Sequence, residues 1–375
     1  MRMRSAVMRE MGSPRPYAHS RPLEIIEVEL DPPGPGELLV RVGAAGLCHS
    51  DLSVIDGSRP RVMPMALGHE AAGEVIETGA GVAGFEAGDH VVLAFVPACG
   101  GCEPCLAGRA ALCEPGAAAN AAGTLLSGER RLGSLDGMAL NHHLGVSAFS
   151  DHIVVSQASA VKVDPELPYE LAALFGCAVL TGVGAAVNAA GIGPGDRVAV
   201  FGLGGVGLSA LLGAVLQEAG IVVAVDVVPE KLALALELGA THAVPAGPDA
   251  VEEVRALTGG GADHAIETVG SALVLADAYA ATRRGGSTTT VGLPDPSQML
   301  SIPAVGLVAE ERTLRGSYLG SGVPARDLPR FIALHREGRL PVERLLTHRL
   351  ALDDINEGFD RLADGEAVRQ AVVFD

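Results

Sequence analysis

The stretch PACGGCEPCLAGRAALCEP, residues 97–115, holds four of the chain's six cysteines. Cys99, Cys102, Cys105 and Cys113 follow a C-x2-C-x2-C-x7-C spacing that puts four thiolates on one tight loop. Zinc accepts four thiolates tetrahedrally and then keeps no open position, so the spacing points to a structural ion. A ferredoxin-type cluster uses a shorter last gap, and a disulfide pair is the remaining reading. The other two cysteines are dispersed: Cys48 in GLCHSD and Cys177 in LFGCAVLTG. A histidine, His69, sits in LGHE, and Asp51 and Glu70 are carboxylates close to Cys48 and His69. Two cysteines and one histidine make an open catalytic zinc set. Sequence distance does not join them, because Cys177 lies 108 residues beyond His69. Taken singly, each also reads as a buried thiol or a turn histidine.

A second kind of chemistry is written in Gly202-Leu-Gly204-Gly205-Val206-Gly207. A strand over 197–201 leads in and a helix over 204–219 leads out, which is the context that a dinucleotide fingerprint requires. The glycines let the backbone turn and approach a pyrophosphate, which the helix N-terminus favours electrostatically. Asp226, nineteen residues after Gly207, closes the second strand. There a carboxylate accepts both ribose hydroxyls and repels a 2′-phosphate, so NAD is favoured over NADP. The bland alternative is a structural βα turn with a surface aspartate.

The elements that must carry these residues change character along the chain. Residues 1–45 read as strands and turns (SAVMRE, LEIIEVEL, LLVRVGAAG), and short β-like runs continue to about 176. The segment 114–141 reads as a long surface loop. From 195 strand and helix alternate: RVAVFG, IVVAVD, THAVPA, DHAIETVG and STTTVGL, with helices near 229–239, 249–257 and 271–283. That rhythm predicts a parallel sheet covered by helices on both faces. One amphipathic helix, 324–337, and a strand, RQAVVFD, end the chain. At 375 residues, about two domains are expected. Tryptophan is absent and aromatics are 3%, so the core rests on Val, Leu, Ala and Ile. A formal charge of −18 argues against a nucleic-acid surface. Neither a secretory h-region nor an uninterrupted membrane span is evident, so a soluble cytoplasmic protein is expected.

Together GLCHSD, GHE, the four-cysteine loop, FGC followed by TG, and FGLGGVG resemble the zinc-dependent medium-chain alcohol dehydrogenases. The likeness runs over essentially the whole chain, in the family's order. It implies an α/β protein with a β-rich GroES-like catalytic domain, 1–178 and 320–375, and a Rossmann doubly wound parallel-sheet coenzyme domain, 179–319. It implies two zinc ions per chain, one held by Cys48, His69 and Cys177 with Asp51 behind His69, and no cysteine left for disulfides. Glu70 is an alternate ligand in this picture. The implied reaction is NAD(H)-dependent oxidation of primary alcohols to aldehydes, and its reverse, by hydride transfer from a zinc-bound alkoxide. Ser50 matches the hydroxyl that takes the alcohol's proton. His49 and Arg369 match basic groups near the pyrophosphate, Lys231 a contact to the adenosine ribose, and Thr181 a neighbour of the nicotinamide. Many members complete a proton relay with a histidine where this chain has Ser53, so the last step of that relay departs from the pattern.

By the same resemblance, Phe95, Phe149, Leu293 and Tyr318 occupy or neighbour substrate-lining positions, with Arg59 near the mouth. That aromatic lining favours aliphatic, allylic or benzylic primary alcohols. The rival activity is that of the S-(hydroxymethyl)glutathione and similar thiol-adduct formaldehyde dehydrogenases. Those are expected to carry an arginine just after the fourth structural cysteine, where this chain reads EPGAAAN. A zinc-free relative of the fold would lack the ligands altogether. The long 114–141 segment and SQMLSI, 297–302, which resembles an edge strand pairing across a two-fold axis, imply a homodimer.

Overall fold

The alternating pattern near the N-terminus becomes the first antiparallel pair. In the computed structural model, which describes residues 1–374, Arg2–Met8 runs against Leu23–Leu30, from Arg2 opposite Glu29 to Met8 opposite Leu23. These strands close a barrel with Leu132–Ser134, Ala139–His142 and Met65–Ala66. A seven-stranded sheet belongs to the same compact unit. Its order is Ala160–Val163, His90–Leu93, Glu70–Thr78, Glu37–Gly46, Arg369–Val373 and Leu346–Leu350, with His152–Ser156 pairing Glu37–Gly46 off that path. Glu37–Gly46 is the organising strand. Leu38, Val40 and Val42 point one way into the core, the period-2 signature of a half-buried strand. Gly46 near its end stands opposite Glu70 on one side and Ala371 on the other. The strand therefore delivers Cys48 to the place where His69, Glu70 and the C-terminal strand also arrive.

The second unit is the parallel sheet that the strand–helix rhythm predicts. Its strands stand in the order His242–Pro245, Ile221–Asp226, Arg197–Phe201, Ala262–Glu267, Thr282–Thr290 and Thr313–Gly316. In chain order that is 3-2-1-4-5-6, the doubly wound dinucleotide-binding arrangement. Strands buried on both faces lose alternation, and Val222, Val223, Ala224 and Val225 are all buried. The helices Gly205–Leu216, Pro229–Glu237, Ala250–Leu257 and Ala272–Ala281 make the crossovers.

Several expectations are revised. The first unit comprises 1–177, 323–329 and 346–375, and the second 178–322 and 330–345. Residues 330–345, assigned by sequence to the catalytic domain, thus group with the parallel sheet, and the change falls at Pro329 inside the helix Pro324–Arg336. The segment 114–141 is not a loop: it contains the helix Glu114–Ala122 and the hairpin of Leu132–Ser134 with Ala139–His142. Alanine loses no side-chain entropy in a helix, so EPGAAANAA folds once Cys113 caps it. A helix Tyr169–Ala190 replaces the end of the β-like region, and it is long and apolar enough to cross a membrane by length and composition. Its most apolar window is 83% buried within the protein, so it is a core helix. Residues 297–302 form no strand within the single chain, whose described sheet edge is Thr313–Gly316; the pairing expected of them is with a second copy.

Buried polar groups tie the hairpin down. Glu37, 1% exposed, is held by the Arg131 guanidinium at 2.8 Å and by the Ser127 hydroxyl at 2.7 Å. His142 Nε2 accepts the Arg131 amide at 3.1 Å, which requires an uncharged ring with its acceptor free. Burial pushes His142 down to about 4, with Arg130 and Arg131 adding to the effect against Glu37. Between pH ~6.5 and ~4 the unfolded chain then binds a proton that the folded chain refuses. The stabilisation is complete above ~6.5 and is lost as pH falls, amounting to about 3 kcal/mol. The melting temperature of His142→Gln should accordingly fall less steeply between pH 6.5 and 4 than that of the parent. Parallel slopes would contradict this assignment.

Candidate metal centres and nucleotide-binding turn

Cys48 lies where the strand Glu37–Gly46 gives way to the short helix His49–Ile55, and it caps that helix. Asp51 reaches back, its Oδ2 accepting the Cys48 amide at 3.2 Å. Asp51 Oδ1 meets His69 Nδ1 at 3.0 Å, and both side chains are buried. His69 precedes the strand Glu70–Thr78, and Gly68 makes its placement feasible. Gly68 has φ +95°, and a Cβ there would stand 2.6 Å from the Phe149 amide nitrogen. Cys177 comes from a π-helical turn, Phe175–Val179, within Tyr169–Ala190. Gly176 lets that turn press against the strand His90–Leu93: a Cβ would lie 2.3 Å from the Leu93 carbonyl oxygen. Such turns are frequent at functional sites because they re-aim a side chain.

These separate devices converge. One donor atom each from Cys48, His69, Glu70 and Cys177 lies within 4.8 Å of all the others, and Cys177 Sγ is 3.5 Å from His69 Nε2. The hydrogen bond from Cys177, opposed by burial and helped by His69, holds the Cys48 thiol well below its usual range. Cys177 is pushed well above that range by the same hydrogen bond and by burial. Burial disfavours a charged His69, but the Asp51 carboxylate overrides it and raises the ring. Two cysteine sulfurs and an imidazole nitrogen therefore face one buried point, a donor set that fits zinc. Glu70 is raised to about 7 by burial, against the pull of Arg369. Its hydrogen bond comes from the Arg369 guanidinium, which is itself buried. Arg369, assigned by resemblance to a phosphate contact, is thus paired with Glu70 in this structure.

The four-cysteine loop forms a second cluster, with the sulfur atoms of Cys99, Cys102, Cys105 and Cys113 mutually within 4.8 Å. No disulfide joins any of the six cysteines. Backbone amides point at the sulfurs: Cys102 N at 3.4 Å from Cys99 Sγ, and Cys99 N and Gly116 N at 3.3 and 3.4 Å from Cys113 Sγ. Amide donors of this kind stabilise thiolate charge: those of Gly101 and Cys102 draw Cys99 down to about 7, while burial outweighs those on Cys113 and pushes it up. Four convergent sulfurs cradled by N–H groups fit a fully coordinated zinc ion. The loop also reaches the first cluster. Cys113 caps Glu114–Ala122, the Asn120 amide on that helix donates to the Phe95 carbonyl at 2.8 Å, and the Phe95 ring meets His69 edge to face at 5.4 Å. The sequence reading missed Asn120, whose helix it took for a loop.

In the parallel-sheet unit, the strand Arg197–Phe201 ends in Gly202, at φ +90°. A Cβ on Gly207 would lie 1.8 Å from the Gly202 carbonyl oxygen, so this glycine is what closes the turn. Gly204 instead has nothing within 4 Å of its virtual Cβ and caps the helix Gly205–Leu216. An open face at a helix N-terminus fits a dinucleotide pyrophosphate. Asp226 is positioned by two amides: Leu203 N donates to Oδ2 at 2.6 Å and Val228 N to Oδ1 at 2.9 Å. Gly205 is buried, Val206 and Lys231 are partly exposed, and Thr181 is buried in the same unit. Among the substrate-lining candidates, Phe95 is buried beside His69, Leu293 is exposed, and Tyr318 and Arg59 are intermediate. Phe149 is fully buried in the core, edge to face with Phe359 at 6.0 Å.

Comparison with known proteins agrees with this geometry. Residues 34–165 match the alcohol dehydrogenase GroES-like domain, and residues 205–336 match a zinc-binding dehydrogenase domain. The putative alcohol dehydrogenase D of Mycobacterium tuberculosis is 40% identical, covering 100% of both chains. The S-(hydroxymethyl)glutathione dehydrogenase of a Synechocystis strain is 36% identical, over 99% of this chain and 100% of that one. The crystal structure of benzyl alcohol dehydrogenase from Acinetobacter calcoaceticus superposes with a TM-score of 0.92 at 31% identity, covering 100% of both chains.

The two glycines make opposite predictions. Gly207→Ala should lower the melting temperature by several degrees and weaken nucleotide binding together, because the turn itself must move. Gly204→Ala should leave the melting temperature unchanged while weakening nucleotide binding at least tenfold by calorimetry. Equal effects from both would contradict this reading of the turn.

Proposed function

The chain belongs to the zinc-dependent medium-chain alcohol dehydrogenases, and from that footing we propose that it interconverts primary alcohols and aldehydes with NAD(H). Aliphatic, allylic and benzylic alcohols are the proposed substrates. The observation that carries the reading is the convergence of Cys48, His69 and Cys177 on one buried point, with Asp51 behind His69. Zinc bound by these three would serve as a Lewis acid that makes an alcohol proton easier to lose. The cysteine quartet would hold the second, structural zinc.

The remaining work falls to side chains. Ser50, partly exposed and two residues from Cys48, is the proposed acceptor of the alcohol's proton. Ser53 is not its continuation, since its hydroxyl donates to the His49 carbonyl at 2.8 Å within the helix. That bond supports a relay ending at Ser50 and solvent rather than passing through position 53. Asp226, held by two amides, keeps lone pairs for ribose hydroxyls and would repel a 2′-phosphate, which supports NAD over NADP. Exposed apolar side chains at Met299, Val305 and Val308 support a homodimer through that segment. The benzyl alcohol dehydrogenase likeness supports benzylic substrates. The Synechocystis relative supports the thiol-adduct reading, against which stands the absence of arginine from EPGAAAN.

Metal analysis should return two zinc ions per chain. NADH formation should appear across aliphatic, allylic and benzylic alcohols, and activity confined to formaldehyde with glutathione would establish the rival. Ser50→Ala should slow alcohol oxidation about 10²-fold or more. Ser53→Ala should change it less than about threefold; comparable losses would refute the proposed proton path.

A further inference from the structure

Behind His69 a second imidazole faces the same carboxylate oxygen. His143 follows the strand Ala139–His142, is 1% exposed, and places Nδ1 at 3.1 Å from Asp51 Oδ1. That oxygen is also the one His69 Nδ1 reaches at 3.0 Å. The His69 and His143 rings meet edge to face at 5.5 Å and 90°. His143 is held from its backbone: its amide faces Ser147 Oγ at 3.1 Å, and its carbonyl accepts the Val146 and Ser147 amides at 3.0 and 3.2 Å. In this arrangement Nδ1 is fully buried without an aligned hydrogen bond, although an acceptor stands within range. A buried polar atom of this kind calls for a partner.

The protonation states follow from elementary constraints. A ring that offers Nε2 to a metal must carry its proton on Nδ1, so His69 donates to Asp51. His143 is 1% exposed, and a neutral ring in such a site has one N–H to place. A bare lone pair on His143 Nδ1 would face the carboxylate's own lone pairs at 3.1 Å, so the proton belongs on Nδ1.

We propose that His143 is a positioning residue: as its Nδ1–H tautomer it holds Asp51 Oδ1, and through Asp51 it sets the angle at which His69 presents Nε2 to the catalytic zinc. The inference rests on the reading that Cys48, His69 and Cys177 bind that ion. Asp51 then has three donors in fixed directions, from the Cys48 amide, His69 and His143. Without the third, the carboxylate is free to turn about its side-chain torsions, and His69 turns with it. Partners of this kind change metal affinity or activity about 10- to 100-fold.

Two substitutions separate the hydrogen bond from mere packing. His143→Phe keeps a ring edge against His69 and removes the donor, whereas His143→Asn loses the ring and keeps an amide N–H at the Nδ1 position. In the zinc-loaded enzyme challenged with EDTA, His143→Phe should release one of its two zinc ions at least tenfold faster than the parent, and His143→Asn within about threefold of it. Cobalt substituted for the released ion should show a shifted visible spectrum in His143→Phe and an unshifted one in His143→Asn. Parental release from His143→Phe with fast release from His143→Asn would overturn the proposal in favour of packing. Should His143→Phe fail to fold, His143→Asn and His143→Gln remain: retention by Asn alone supports the proposal, and equal retention overturns it. A parent chain that binds a single zinc, unaffected by Cys48→Ala, would overturn the site reading itself; two zinc ions with unaltered release overturn only the role of His143.

Discussion

A buried carboxylate sets the terms for the catalytic unit. Asp51 has no exposed surface, and an isolated buried charge costs several kcal/mol unless hydrogen bonds and an opposite charge offset it. Its neighbours answer that demand: the Cys48 amide donates to one oxygen and His69 Nδ1 to the other, and His143 Nδ1 stands 3.1 Å from the latter. Satisfying Asp51 fixes the junction of strand and helix at Cys48 and the tautomer of His69. Cys48 and His69 are therefore both positioned by a residue outside the cluster they form with Cys177 and Glu70.

A second buried pair lies beside the first. Glu70 and Arg369 sit together, each nearly inaccessible to solvent, where the C-terminal strand meets Glu37–Gly46. The pair fits only because Gly46 has no side chain, since a Cβ there would stand 2.4 Å from Glu70 Oε1. Glycine recurs wherever a donor must be delivered through a crowded backbone: Gly68 before His69 and Gly176 before Cys177. In the other unit the same economy appears at Gly207, which closes on the Gly202 carbonyl and leaves Gly204 open. The high glycine content of the chain is spent in part on these approaches.

The structural cluster is more than an anchor at the periphery of its unit. From Cys113 a helix leads to Asn120, Asn120 to the Phe95 backbone, and Phe95 to the face of His69. The four-cysteine loop thereby steadies a wall of the Cys48–His69–Cys177 cluster. This link was hidden because 114–141 is rich in Ala, Gly and Arg and has little apolar periodicity. Its helix depends on a cap from Cys113 and on what Asn120 touches, not on an amphipathic stripe.

Local chemistry was legible where it is local in sequence. The cysteine quartet, the glycine turn with Asp226 and the alternation of strand and helix each depend on residues spaced by a few positions along the backbone. Spacing alone therefore determined a four-sulfur site, a nucleotide-binding turn and a doubly wound parallel sheet. The open metal site is different, because its donors come from a strand end, a loop and a π-helical turn that no local rule connects. Resemblance named Cys48, His69 and Cys177, but only the fold brings their donor atoms within 4.8 Å, and only the fold buries Phe149 in the core. His143 was invisible for the same reason: its meaning lies in a 3.1 Å approach to Asp51 across 92 residues of chain, a distance that packing decides and sequence order does not encode.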